Sequence, residues 1–171
     1  VKMDISFDVI WQTVLLAMAP VSEIRGSIIW GLANVTHNAA NILSIYLISV
    51  VANFIPVPFI LLLFRPVIRW LKRTKLFGRF AHWLERRTHR KAGDISQKGA
   101  KAAAIALMIF VGIPFPTTGA WTGSMIAALL DMRFKYAIPA IILGIMISGA
   151  IMTMLVTGVL NLGALGEWLM H

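Results

Sequence analysis

The residues able to do chemistry are few, and they sit in two short stretches broken by proline and glycine. The first, Pro20-Val-Ser-Glu-Ile-Arg-Gly26, places Glu23 and Arg25 two residues apart inside an otherwise apolar run. A carboxylate there can take up and release a proton. Arg25 beside it is a fixed cation whose planar donor fork suits phosphate or carboxylate. A charge in an apolar membrane segment costs several kcal/mol unless paired or hydrated, so both residues are functional candidates. The alternative is a buried Glu23–Arg25 pair that only holds the turn.

The second stretch, Gly112-Ile-Pro-Phe-Pro-Thr-Thr-Gly119, carries Pro114, Pro116, Thr117 and Thr118 just before a helix expected to open at Gly119 or Ala120. Prolines remove backbone donors, and the first N–H groups of a helix favour anions, so this end is a candidate anion cradle. The two threonines serve equally well as a helix cap. Trp121 either closes over a ligand or packs. Gly119 and Gly123 have the four-residue spacing of close helix contact. Asp131 and Arg133, a little further on, are either a gate pair or a solvated interface pair.

Other chemistry has little to stand on. The four histidines, His37, His82, His89 and His171, have no metal-ligand spacing, and there is no cysteine. No Ser-His-Asp pattern or phosphate-binding glycine loop is present. No cofactor, no metal and no enzymatic activity are expected.

The elements that position these residues must sit in lipid. Of 171 residues, 58% are hydrophobic and 13% charged, and the mean hydropathy is +0.80; a soluble domain carries roughly 25% charged residues. Charge is absent from Val9 to Ser22, Gly26 to Phe64, Ala102 to Leu130 and Tyr136 to Gly166. Since about 20 apolar residues span a bilayer, the chain is expected to be an all-α polytopic membrane protein. The N-terminal run has no basic leader and no small-residue exit, so no cleavable signal is expected.

The net charge of +9 is concentrated: twelve of the 16 Lys and Arg lie between Arg65 and Lys101. Within that segment Val67, Trp70, Leu71, Phe77, Phe80, Trp83 and Leu84 recur at helical spacing, the pattern of an amphipathic helix in the headgroup layer. A segment tethered to membrane at both ends is not expected to bind nucleic acid. The positive-inside preference makes it cytoplasmic.

The order that follows is a membrane-entering hairpin over 1–33, a transmembrane helix over 39–64 and a basic amphipathic connector over 65–101. A second hairpin over 102–130, a transmembrane helix over 136–160 and an interfacial tail over 161–171 complete it. The arms expected are Val9 to Ala19, Ser27 to Ala33, Ala102 to Val111 and Ala120 to Leu130; even eleven residues cover only about 16 Å, half of a hydrocarbon core about 30 Å thick, so each arm must turn back. A hairpin over 102–130 also keeps Arg133 and Lys135 on the same side as Lys98 and Lys101, where a single kinked span would not. The N- and C-termini are then expected outside.

Hairpin and span thus occur twice in opposite orientation. Gly26-Ser-Ile-Ile29 is faintly echoed by Gly123-Ser-Met-Ile126. Interrupted segments at corresponding places in two inverted halves point to a transport site near the membrane midplane.

The runs Ala19-Pro-Val-Ser-Glu-Ile-Arg-Gly26 with Trp30-Gly31, and Ile113-Pro-Phe-Pro-Thr-Thr-Gly-Ala-Trp-Thr-Gly123, resemble the bacterial and archaeal small multidrug export family, a distant branch of the DedA superfamily. The resemblance implies two opposed re-entrant hairpins, a location in the cytoplasmic membrane, and transport, with protons as coupling partner. For DedA relatives it further implies movement of lipid carriers such as undecaprenyl phosphate. Carried over by position, it assigns the charged pair of the first hairpin to Glu23 and Arg25, and the proline-glycine motif of the second to Pro114, Pro116, Gly119 and Gly123. Thr117 and Thr118 stand where DedA relatives carry an arginine.

The expected function is therefore a small secondary transporter, with Glu23 as proton carrier and Arg25 plus helix N-termini receiving an anionic or amphipathic substrate, a lipid phosphate included. The alternatives are a multidrug or cation exporter, an energy-independent lipid scramblase and a non-transporting membrane scaffold. Membrane lipids are the expected surroundings, and small residues in the last span allow a homodimer.

Overall fold

A computed structural model describes residues 5–72, 97–115 and 118–169. Most of the basic connector expected over 65–101, with Phe80 and Trp83, lies outside the described residues, as do Pro116 and Thr117. The described residues form seven helices and no strand: α1 (Phe7–Met18), α2 (Glu23–Ala33), α3 (Ala39–Phe54), α4 (Pro56–Lys72), α5 (Gln97–Gly112), α6 (Ala120–Leu129) and α7 (Phe134–Leu169).

Proline and glycine set where these helices stop. After α1 the chain turns at Pro20, and α2 opens at Glu23, so that Glu23, Arg25 and Gly26 all lie in its first turn and not in the break before it. The polar stretch Asn34-Val-Thr-His-Asn38 becomes a knitted loop. Asn38 caps α3 by accepting from the Asn41 N–H at 2.8 Å, and Asn41 donates to the Thr36 hydroxyl at 2.8 Å. α5 starts at Gln97, upstream of the expected arm, and ends at Gly112, ahead of Pro114, which has no N–H to continue the ladder. The last helix runs to Leu169 without a break at 160.

Two stretches are long and apolar enough to cross a membrane, Ala39–Phe64 and Phe134–Val159, each of 26 residues. Only 33% and 39% of their apolar windows are buried within the protein. A core helix of a soluble protein would be mostly covered, whereas here Leu43, Leu47 and Val51 form an exposed apolar row on one side of α3. The opposite side carries Asn41, Ile45, Ser49 and Asn53, all buried. Three further apolar helices, Phe7–Met18, Gly99–Gly112 and Ala120–Leu129, are too short to cross.

The core joins the two halves of the chain. α1 packs on α2 and α3, and α5 on α6 and α7; each second arm then crosses over, α2 against α7 and α6 against α4. Glycines permit the closest approaches. A Cβ at Gly144 would lie 2.9 Å from the Met108 carbonyl oxygen and 2.6 Å from the Val111 Cβ, so α7 meets α5 almost backbone to backbone. At Gly149 it would meet Ile24 of α2 at 2.7 Å and Tyr46 of α3 at 3.0 Å. Both glycines thus serve contacts within the chain. Tyr46 closes the same junction by donating its hydroxyl to the Met146 carbonyl at 3.1 Å.

Candidate functional site

The turn between α1 and α2 is held by its own backbone. The Ala19 N–H reaches the Leu15 carbonyl at 3.1 Å and the Glu23 N–H reaches that of Ala19 at 3.0 Å, while the Ser22 hydroxyl donates to the Leu16 carbonyl at 2.6 Å. A Cβ at Gly26 would lie 2.5 Å from that of Ser22, which explains the glycine there. The chain turns into α2 through Glu23 itself, held at φ 46°, in the left-handed region. For a residue with a side chain this costs of order 1–2 kcal/mol, and such strain concentrates at functional sites.

The second turn is closed by Thr118. Its hydroxyl donates to the Ile113 carbonyl at 2.6 Å and accepts from the Phe115 N–H at 3.2 Å. Thr118 therefore stitches the loop together and does not cap the helix after it. That cap is Gly119, whose N–H donates to the Thr122 hydroxyl at 3.1 Å.

The two turns meet. Glu23, 3% exposed, lays its carboxylate on the N-terminus of α6, where the Trp121 N–H donates to Oε1 at 3.2 Å and the Ala120 amide also faces it. Unpaired N–H groups and the positive end of the helix dipole make this position suited to a buried anion. Gly119 is extended, at φ 179°, so its lack of a side chain is not a matter of backbone conformation. A Cβ there would fall on the Glu23 carboxylate. The indole of Trp121 returns the contact, donating from Nε1 to the Met18 carbonyl at 3.1 Å, at the end of α1. Each turn thus satisfies an end group of a helix in the other.

Arg25 acts on this contact through its charge only. Among the described residues no ion pair links it to Glu23; it is half-buried, and its Nη1 is fully covered without a hydrogen-bond partner. Pro20 is exposed at the outside of the first turn, and Pro114 is half-buried in the second. Gly123 lies inside the second hairpin, where a Cβ would collide with Val111 of α5, so it serves packing.

Asp131 and Arg133 are exposed and not paired with each other in the described structure. Asp131, at φ 49°, closes α6: its N–H reaches the Ala128 carbonyl at 3.1 Å and the Met132 N–H reaches that of Ala127 at 2.9 Å. These two bonds are those of a left-handed helix stop. The structure gives Asp131 a backbone capping role.

The sequence pattern pointed to Glu23 and to the α6 N-terminus separately, but not to their contact or to the double role of Trp121. Neither has a local signal, since the partners are about a hundred residues apart. Among the described residues no cluster of His, Asp or Glu is arranged to hold a metal.

No curated protein and no solved structure matches the chain. The family model described as "Putative small multi-drug export protein" matches residues 23–151, from Glu23 at the first turn, through the second, and into the middle of α7. The match takes in Glu23, the second turn and the helices from α2 to α6, more than half of the chain, so the chain belongs to the small multi-drug export protein family.

Proposed function

We propose that the protein is a membrane transporter whose site lies where the two turns meet, and that protonation of Glu23 operates it. The observation that carries this reading is the bond from the Trp121 N–H to the Glu23 carboxylate, with Gly119 bare beneath it. An ionised Glu23 occupies the anion position at the head of α6 and fastens the two hairpins together. A hydrogen bond to a charged group contributes about 1.5–3 kcal/mol more than one left unmade. Neutralising Glu23 loosens the junction and opens the helix end to an anionic group on a substrate, with Arg25, two residues on in α2, as a cation for the same group.

The hairpins enter the membrane from opposite faces as the two halves of an inverted repeat. Apolar exposure at the turns supports this: Val21 is 87% exposed in the first and Phe115 63% in the second, a poor surface for water but a suitable one inside a bilayer. Segment 65–101 then lies in the cytoplasm and both termini outside. The family description points to drug export; a single glutamate beside an arginine is a weak trap for cations, so an anionic or amphipathic substrate fits better. Kinship with the DedA superfamily would extend the substrate class to lipid phosphates.

The test is transport in proteoliposomes. Glu23→Gln keeps a hydrogen-bonding side chain but cannot ionise, so proton-linked flux is expected to vanish while the purified protein stays folded. Flux equal to wild type would remove Glu23 from the mechanism.

A further inference from the structure

A second group of polar side chains lies along α3, on a different element from the junction just described. Ser49 and Asn53 are four residues apart on one face of that helix and are 0% and 1% exposed. The Ser49 hydroxyl and both polar atoms of the Asn53 amide are fully covered and have no hydrogen-bond partner. Covered hydroxyls without a partner occur also at Thr13 and Thr153, but Ser49 and Asn53 stand one turn apart on the same helix face. Ser44, Ser124 and Thr157 each return their hydroxyl to the carbonyl four residues back, at 2.7, 2.5 and 2.7 Å. Ser49 does not, although the Ile45 carbonyl is equally near in sequence. A buried polar group left unmatched costs about 1–3 kcal/mol, and a run of them on one face marks a place built for a polar guest.

The backbone there shares that character. α3 ends at Phe54, midway along the 26-residue stretch Ala39–Phe64, and is followed by Pro56 and Pro58. Neither proline has an N–H to give, so the Phe54 carbonyl loses its donor, and that of Ala52 is met only by the Ile55 N–H at 3.3 Å. Ile55 stays right-handed helical between α3 and α4, so the prolines free these carbonyl oxygens without ending the helical run, and a carbonyl oxygen left without an N–H can serve a cation as ligand. The donors on offer are neutral oxygens. Divalent cations are usually held by carboxylates, and among the described residues there is no acidic cluster.

We propose that Ser49, Asn53 and the carbonyl end of α3 bind a monovalent alkali cation, sodium or potassium. The Ser49 hydroxyl, Asn53 Oδ1 and the freed carbonyls face the ion, and a water in its shell accepts from Asn53 Nδ2. Backbone carbonyls released within membrane helices are recurrent ligands of coupling ions. The ion site is independent of the protonation of Glu23.

Binding can be read without transport. The purified protein is melted at constant chloride with choline replaced stepwise by sodium or by potassium. A saturable rise in melting temperature with one of the alkali cations is expected. Ser49→Ala and Asn53→Leu should weaken that dependence about tenfold or more, equivalent to about 1.4 kcal/mol. Both variants should melt in choline no lower than wild type, because each removes an unmatched polar group. Glu23→Gln should keep the full cation effect, which separates this site from the junction. Identical melting in choline, sodium and potassium would overturn the proposal, and so would a cation effect that survives in Ser49→Ala; that variant decides even if Asn53→Leu does not fold.

Discussion

At the scale of single residues, Glu23 is tied to a position no neighbour in sequence defines. Its carboxylate lies where Gly119 has no side chain, so Gly119→Ala should push it off the head of α6. Overpacking of this kind costs about 1–3 kcal/mol, seen as a lower melting temperature together with reduced transport. Trp121→Phe keeps an aromatic side chain but deletes the indole N–H that meets the Met18 carbonyl, and should destabilise by about 1 kcal/mol in the same melting assay. The opposite sign is expected at Asp131, which is left-handed without being glycine. Asp131→Gly should raise stability by up to about 1 kcal/mol and leave flux unchanged, whereas a gate residue would change flux.

At the scale of elements, the sequence pattern revealed the helices more fully than their ends. Charge-free runs broken at Pro20 and at Pro114 to Gly119 were enough to locate four short arms, because proline and glycine act on the backbone wherever they stand. The start of α2 was missed: Gly26 looks like a breaker, yet it is a glycine of close contact with Ser22 inside the helix. The start of α5 was missed too, since Lys98 and Lys101 suggest an end to apolar helix although lysine is compatible with one. Ser49 gave no signal, because a lone serine in an apolar run becomes informative only once its burial and lack of a partner are known. Close approach of α5 and α7 rests on Gly144, and Gly144→Leu should separate them, with loss of folded protein in detergent by size-exclusion chromatography.

At the scale of the whole molecule, long helices and short ones divide the work. Ala39–Phe64 and Phe134–Val159 can cross a bilayer, while the short arms bring Glu23 and the head of α6 together from distant parts of the chain. If the arms are re-entrant, Lys101 and Lys135 lie on one side of the membrane. Cysteines placed at these two positions should then react together with an impermeant reagent added to inverted vesicles, and neither should react in intact cells. Labelling from opposite sides would require the second hairpin to be a single span.

The meeting of the two turns is the central claim, and a chain without cysteine allows it to be tested cleanly. Glu23→Cys with Gly119→Cys, combined with a protease site inserted between residues 73 and 96, should give two fragments that stay linked after oxidation in native membranes and separate on reduction. A Cβ at Gly119 falls on the Glu23 carboxylate, whose carbon is two bonds from the Cβ of residue 23, so the two Cβ atoms come close to the separation of about 3.5–4.5 Å that a disulfide spans. Val21→Cys with Gly119→Cys, its first member pointing away, should not link. Fragments that separate without reductant in the Glu23–Gly119 pair would contradict the account.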